Sequence, residues 1–247
     1  MIMTNLQKTI AQVLSANRGE RVVAFDVDHQ KYWLKQAEKN TGFMRILKAN
    51  PQRALAQEIQ SLQYLNKVGA PCAELVAWDD DYLVLKDVGA TVDQWLQNSA
   101  CDQQQKQQII NDCAIALAEL HALDLVHGRP ATRDIGWENG KVRFIDFEST
   151  LNIDRLQWNK ARDLIIFIHD LYRNSLPQQM VESAVSRYCQ QANGEQNWQY
   201  ALQILHKYRF LYPLFKPFYS IAGKDLLAGL KLFEYWQKNN GKQEVNK

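Results

Sequence analysis

The sequence lacks the features that mark exported, membrane-spanning and zinc-binding proteins. Its first residues, MIMTNLQKTIAQVLSANRGER, contain no basic start followed by an unbroken apolar run. No stretch approaches the roughly 20 apolar residues that a membrane-spanning helix needs. The four cysteines, Cys72, Cys101, Cys113 and Cys189, show no C-x-x-C spacing, which argues against a zinc ribbon or a redox motif. We therefore expect a cytoplasmic protein whose thiols are free.

The sequence also has little excess of charge of either sign. The 29 lysines and arginines nearly balance the 27 aspartates and glutamates, so the net charge is only +2. Nucleic-acid binding normally needs a concentrated basic surface, and we expect no nucleic-acid partner. The 247 residues are 46% hydrophobic and 23% charged, which is ordinary for a globular protein with one large domain or two small lobes.

The most informative stretch of the chain is Leu125 to Thr150, LVHGRPATRDIGWENGKVRFIDFEST. Asn139 and Gly140 tolerate the positive φ of a type I′ turn, so this stretch predicts two short strands joined by a tight hairpin. Asp134 precedes the first strand and Asp146 follows the second. Two acids at the ends of a hairpin can lie side by side and hold a hard divalent cation through oxygen ligands.

This stretch resembles the protein-kinase-like superfamily, whose catalytic loop reads H-x-D-x-x-x-x-N and whose metal motif is D-F-G or a close variant. His127 matches the histidine, and Asp146-Phe147-Glu148 matches the metal motif. Two positions differ from the family pattern, because Arg129 stands at the catalytic aspartate and Asp134 at the metal-binding asparagine. Within this superfamily the chain is most similar to the small bacterial lipopolysaccharide-core sugar kinases. The similarity lies in the compact N-lobe sequence WLKQAEK, the missing activation segment and the early Ala161-Arg162-Asp163.

The resemblance implies an α+β, two-lobe protein-kinase-like fold. Residues 1–88 would form a small N-lobe with an antiparallel sheet and one key helix, and residues 89–247 a mainly helical C-lobe. Nucleotide and metal would bind in the cleft between the lobes. Sequence periodicity agrees with this division, because it predicts a hairpin over 21–36, helices over 54–66 and 109–123, and an apolar helix over 161–172.

Nucleotide-binding roles in the N-lobe also follow from the resemblance. Lys35 would contact the α and β phosphates of ATP and pair with Glu58 of the next helix. The backbone of Leu85, Lys86 and Val88 would meet the adenine edge as a hinge. A surface salt bridge or solvated side chains are the alternative for Lys35 and Glu58. The glycine-rich loop of the family is represented only by Gly19.

Catalytic-type roles fall on the C-lobe. Asp146 would chelate Mg²⁺ or Mn²⁺, Asp134 would hold the same or a second ion, and Arg129 would stabilise the charge of the transferring phosphate. His127 would hold the loop and the metal motif by hydrogen bonds rather than transfer a proton. Asp163 would accept hydrogen bonds from the loop backbone, the alternative being a carboxylate that is merely favoured by a helix N-terminus.

Three functions remain open at this stage. The first is an ATP-dependent phosphotransferase acting on a hydroxyl of an unknown acceptor, whether a sugar of the lipopolysaccharide core, a lipid or a protein. The second is a pseudokinase, a nucleotide-sensing or protein-binding module, because Arg129 cannot accept the hydroxyl proton. The third is transfer of another part of the nucleotide, such as AMP.

The C-terminal part, Lys207 to Trp236, interleaves aromatic residues with lysine and arginine. Such a segment can lie in a membrane interface and contact anionic lipid, which would place the protein at the inner-membrane surface. It can equally bury its rings in the core and leave the lysines in water.

Overall fold

The computed structural model describes residues 4–37, 51–147 and 155–244. The chain divides into two compact units, Met1–Val88 and Gly89–Lys247. Within the described residues no helix is both long and apolar enough to cross a membrane. No disulfide joins the four cysteines, all of which lie in the described part of the chain.

In the N-terminal unit the described residues form a four-stranded antiparallel sheet and two helices. Its strands follow the order β1-β2-β4-β3. The elements are α1 (Asn5–Ala16), β1 (Val22–Val27), β2 (Gln30–Gln36), α2 (Pro51–Lys67), β3 (Leu75–Asp79) and β4 (Tyr82–Lys86). Alternating strand residues are buried, and they pack with Ile10 of α1 in one cluster and with Leu55, Ile59 and Leu62 of α2 in another.

The C-terminal unit is mainly helical and contains one short hairpin. Its elements are α3 (Val92–Gln97), α4 (Gln103–Ala122), a 3₁₀ turn (Thr132–Asp134), β5 (Ile135–Glu138), β6 (Lys141–Phe144), α5 (Leu156–Arg173), α6 (Gln178–Cys189), α7 (Gly194–Lys207), α8 (Leu211–Phe215), a 3₁₀ turn (Lys216–Ile221) and α9 (Lys224–Glu244). Helices α4 and α5 provide much of the core, including Ile109, Leu117, Leu164 and Ile168, all with no exposed surface. The α+β prediction is confirmed.

Helix α4 begins six residues before the predicted start at Ile109. The Asp102 side chain accepts a hydrogen bond from the Gln105 backbone N–H at 2.7 Å, which caps the first turn. The glutamines that follow Asp102 are good helix formers and need no apolar face. Hydrophobic periodicity alone therefore missed this first part of the helix.

Candidate functional site

The β5–β6 hairpin brings the two candidate metal-binding acids to the same end of one element. Asn139 and Gly140 both have positive φ, of 50° and 80°, as the predicted tight turn requires. At the other end, the Ile145 backbone N–H donates to the Asp134 carbonyl at 3.0 Å. Asp134 and Asp146 therefore flank adjacent strands, and the negative charge of Asp146 acts on the Asp134 carboxyl.

Asp134 is a buried carboxylate with one unsatisfied oxygen. Its residue surface is 6% exposed, and Oδ2 has no hydrogen-bond partner among the described residues. Arg133 Nε lies 3.5 Å from this oxygen and an Arg129 guanidinium nitrogen lies 3.8 Å away. Burial raises the pKa of the Asp134 carboxyl, and Asp146 adds to this, while both arginines oppose it. A buried polar group of this kind needs a partner.

The donor set around Asp134 fits a divalent cation. Mg²⁺ prefers oxygen ligands and is commonly held by one or two carboxylates, with substrate phosphates and waters completing its shell. The hairpin offers two carboxylates, from Asp134 and Asp146. Within the described residues, no group of three or more His, Cys, Asp or Glu side chains forms a metal cluster. Two carboxylates leave room in the shell of such an ion for phosphate oxygens and waters.

Asp146 occupies a left-handed backbone conformation and exposes its side chain. Its φ is 57°, a value that aspartate and asparagine tolerate better than most residues. The next residue, Phe147, places its ring 4.8 Å from the His127 ring. This packing fixes the start of the metal motif against the loop. Glu148, the third residue of the motif, lies outside the described residues.

His127 is buried and uses both ring nitrogens inside the site. Nε2 lies 2.8 Å from the Ile145 carbonyl, and Nδ1 accepts from the Arg129 backbone N–H at 3.2 Å. This arrangement requires the neutral tautomer with its proton on Nε2. Burial lowers the pKa of His127, which also favours the neutral ring. The histidine therefore ties the loop to the end of β6, as the sequence predicts.

Asp163 of α5 holds the backbone at the start of the loop. Its carboxylate accepts hydrogen bonds from the His127 N–H at 2.7 Å and from the Gly128 N–H at 3.0 Å. Gly128 has a φ of 96°, which leaves its N–H pointing into this acceptor without a Cβ penalty. Asp163 is fully buried and so is more than a carboxylate at a helix end.

A second aspartate of α5, which the sequence analysis missed, holds the other end of the loop. Asp170 Oδ2 accepts from the Thr132 backbone N–H at 2.7 Å and from the Thr132 hydroxyl at 2.6 Å. Asn174 then donates to the Thr132 Oγ1 at 3.0 Å. Asp163 and Asp170 are seven residues apart, so they lie on the same face of the helix. This seven-residue spacing is the signal in the sequence that could have identified Asp170.

His121 extends this buried network away from the loop. Its Nε2 lies 3.5 Å from Asp163, and its Nδ1 is hydrogen-bonded to the Tyr188 hydroxyl. The Asn197 amide donates to the same hydroxyl at 2.9 Å. Burial is the largest influence on His121 and lowers its pKa, whereas Asp163 acts in the opposite direction. The loop is therefore connected to α6 and α7 through polar groups that water does not reach.

In the N-terminal unit, Lys35 and Glu58 form the expected ion pair. Lys35 Nζ lies 2.6 Å from Glu58 Oε1, and the two side chains are 20% and 29% exposed. Lys35 lies on β2 opposite Leu83 of β4, so a strand of the sheet fixes its position. The pair is partly shielded from water, which strengthens it relative to a surface salt bridge.

The predicted hinge residues follow β4. Lys86 donates its backbone N–H to the Glu74 carbonyl at 2.9 Å, so this group is used within the sheet. Leu85 is paired with Trp33 and Leu75 across the two neighbouring strands. Among the described residues, no backbone hydrogen bond engages Val88. Val88 is the last residue of the N-terminal unit and is partly exposed.

Comparison with known proteins identifies the family. A family model described as "APH: Phosphotransferase enzyme family" matches residues 20–189. The chain belongs to the APH phosphotransferase family. An uncharacterized protein of Haemophilus influenzae is 39% identical over 234 residues, covering 95% of this chain and 97% of the relative. The solved structure of the gentamicin–APH(2″)-IIa complex is similar over 95% of this chain and 97% of that chain, with 13% identity and a TM-score of 0.49.

The match to the APH family spans all of the candidate residues. It begins before Lys35 and ends after Asp163 and Asp170. Membership supports a kinase-like phosphotransferase as the class of protein. The roles of Arg129 and Asp134 are the subject of the proposal below.

Proposed function

We propose that the protein is an ATP-dependent phosphotransferase that moves the γ-phosphoryl group to a hydroxyl of its acceptor. The observation that carries this proposal is the unsatisfied Oδ2 of buried Asp134, at the same hairpin end as Asp146. Two carboxylates in this arrangement suit an ion shared with nucleotide phosphates. ATP and Mg²⁺, or Mn²⁺ in its place, are the corresponding substrate and cofactor. We place this activity in the cytoplasm.

Asp146 and Asp134 would hold the metal, which when bound neutralises charge on the β and γ phosphates. Asp146 is exposed and so is accessible to a phosphate-bound ion, while Asp134 offers an oxygen already stripped of water. Asp163, Asp170 and His127 set the loop geometry on which Asp134 depends. These residues position the site and do not contact the reacting atoms.

Arg129 would provide positive charge next to the oxygens of the transferring phosphoryl group, which carry negative charge in the transition state. Its side chain is half exposed, and among the described residues its ion pair is the 3.8 Å contact with Asp134, which is long enough for the guanidinium to turn to a phosphate ligand. In the reaction, the acceptor oxygen forms a bond to the γ-phosphorus, the bond to the β–γ bridging oxygen breaks, and the hydroxyl proton passes to solvent. A phosphoryl transition state is loose, so positioning and charge can carry most of the acceleration without a strong base.

In the N-terminal unit, Lys35 would bind the α and β phosphates, with Glu58 fixing its ammonium group. Lysine is suited to this role as a compact charge with three donors. The backbone of Val88 would receive the adenine edge, next to Leu85 and Lys86.

The acceptor belongs to one of three hydroxyl classes: a sugar such as those of the lipopolysaccharide core, a lipid, or a protein side chain. We propose the sugar first, from the sequence resemblance to lipopolysaccharide-core kinases. Transfer of ³²P from γ-labelled ATP to each class separates them. Parallel reactions with α-labelled ATP report AMP transfer, because that label moves only with the nucleotide.

The decisive experiment is nucleotide binding measured by thermal unfolding, with and without Mg²⁺. Ligand at roughly 100 times its Kd adds about 2.7 kcal/mol to the free energy of unfolding, which is a shift of several degrees. Asp146→Asn should remove the metal-dependent part of this shift. Asparagine is chosen because it tolerates the φ of 57° at this position.

Asp28→Asn is the matched control, since Asp28 has a φ of 51° and lies in the exposed β1–β2 turn. It should keep the full shift. The absence of a shift in the wild type at millimolar ATP and Mg²⁺ would refute the proposal and favour a pseudokinase that works as a protein-binding module. A shift without phosphoryl transfer to any acceptor class would indicate a nucleotide-sensing module.

A further inference from the structure

Between Lys207 and Lys224 the chain presents large apolar side chains to solvent. Helix α8 and the 3₁₀ turn after it bury a single residue, Tyr212. The exposed side chains of this aromatic segment, which we define as residues 207–224, are 37–79% exposed. They are Tyr208, Phe210, Leu214, Phe215, Phe218, Tyr219 and Ile221. The prediction that this part of the chain buries its rings holds only for Tyr212 and for the rings of α9, such as Tyr235 and Trp236.

The exposed surface of these residues is comparable with the largest apolar patches on monomeric proteins. Large side chains carry roughly 150–250 Å² each, so the exposed parts of these seven amount to about 700 Å². The largest apolar patch on a typical monomer covers about 300–600 Å² and often has a function. The seven residues fall within 14 consecutive positions, Tyr208 to Ile221.

The aromatic segment is held in place and is not a loose tail. The Tyr212 hydroxyl donates to Glu234 of α9 at 3.2 Å, and its ring lies against Phe233. Lys216 Nζ lies 5.4 Å from the centre of the same ring, a cation–π contact. One buried tyrosine therefore anchors the segment on α9 while its other large rings remain outside the core.

Charge in the aromatic segment is of one sign. It contains Lys207, Arg209, Lys216 and Lys224, and no aspartate or glutamate. The two nearest acids are already engaged, because Asp225 accepts from Arg173 Nε at 2.6 Å and Glu234 accepts from Tyr212. The aromatic segment itself therefore carries four cations and no acid, while Asp225 and Glu234 lie at its border.

We propose that the aromatic segment docks on an anionic lipid surface. Aromatic rings seat at the boundary between head groups and acyl chains, and lysine and arginine lay their stems along apolar surface while their charges reach the phosphates. A second copy of the chain is a poorer occupant, since a two-fold contact would bring four cations against four identical cations. The peripheral location is independent of the catalytic proposal and can be tested without any acceptor.

The test is co-sedimentation of the purified protein with two kinds of vesicle. One is phosphatidylcholine alone, and the other is phosphatidylcholine with roughly 30 mol% of the anionic lipid phosphatidylglycerol. We expect binding to the anionic vesicles that weakens as salt is raised. A Phe210→Ser/Phe218→Ser/Ile221→Ser variant should lose at least about tenfold in partition coefficient. A Lys216→Gln/Lys224→Gln variant should lose about fivefold for each lysine removed.

Matched controls lie on other exposed surfaces of the same chain. Tyr64→Ser/Trp78→Ser removes exposed rings, and Lys67→Gln/Lys141→Gln removes exposed lysines, so both variants should bind vesicles as the wild type does. Equal binding by wild-type and segment variants, or no binding to anionic vesicles, would overturn the proposal. So would a dimer in light scattering that the serine variant abolishes while vesicle binding is absent, because the second copy would then be the occupant.

Discussion

Acidification should destabilise the C-terminal unit through two buried histidines. His121 and His127 have no exposed surface, and burial lowers the pKa of both. In the unfolded chain a histidine titrates near 6.5. As the pH falls below this value, the unfolded chain takes up protons that the folded chain does not. The contribution of the two buried, neutral histidines to the free energy of unfolding is therefore fully present above about pH 6.5. It is lost as the pH falls toward their folded-state pKa values.

The size of the effect follows from linkage. Each histidine changes the free energy of unfolding by at most about 1.4 kcal/mol per pH unit, over the range between its folded pKa and about 6.5. The two together give a limit of about 2.7 kcal/mol per pH unit. Asp134 acts with the opposite sign, because its raised pKa gives stability that is lost as the pH rises through the folded value. An Asp134→Asn background removes this opposing contribution.

Urea unfolding between about pH 5 and 8 at constant ionic strength measures the slope. Five of the seven tryptophans follow residue 89, so fluorescence reports mainly on the C-terminal unit. His121→Gln should reduce the slope by up to about 1.4 kcal/mol per pH unit. Tyr188→Phe is the matched control, since it removes the hydroxyl bonded to His121 and leaves the imidazole buried. It should lower stability at every pH and keep the slope. An unchanged slope in His121→Gln would refute the reasoning.

Three further predictions concern the ion pair and the loop. Lys35→Ala and Glu58→Ala should each weaken ATP binding in calorimetry, and the double variant should bind no more weakly than Lys35→Ala. Each single change should alter the free energy of unfolding by less than about 1 kcal/mol. Additive losses of affinity would contradict the pairing. Thr132→Val should cost about 1–3 kcal/mol in urea unfolding because it leaves a buried aspartate short of a donor, and Thr132→Ser should cost much less. Arg129→Ala should reduce phosphoryl transfer by about 10²–10³-fold, and Arg133→Ala by less; equal losses would remove the special role of Arg129.

Local chemistry made the hairpin and its acids predictable from sequence. Asn139 and Gly140 are the residues that a tight turn with positive φ selects, and once the turn is fixed, Asp134 and Asp146 must lie at its open end. Asp163 was identified through the family resemblance, and its two backbone hydrogen bonds give that identification a physical basis. Strand alternation likewise fixed the position of Lys35 on its sheet.

Tertiary contacts explain what sequence reasoning missed. Asp170 and Thr132 are 38 positions apart, and only the packing of α5 against the loop brings them together. His121 and Tyr188 are 67 positions apart, and nothing in either local sequence names the partner. The sequence left two alternatives open for the aromatic segment, because the same spacing of rings and lysines occurs in cores and in membrane interfaces.

The two departures from the kinase-like loop pattern that the sequence predicts, at Arg129 and Asp134, would compensate each other in charge. The usual catalytic aspartate and metal-binding asparagine carry one negative charge together, whereas Arg129 and Asp134 carry none. Together with Asp146, the predicted loop would have a net charge of −1 instead of −2. In the described structure a guanidinium nitrogen of Arg129 lies 3.8 Å from the Asp134 oxygen that lacks a hydrogen bond. The guanidinium therefore partly takes the place of a metal ion there. Such a long, half-exposed pair is weak. We therefore expect metal binding at Asp134 to release Arg129 toward the phosphate, so that one event completes the metal site and frees the charge that would stabilise transfer.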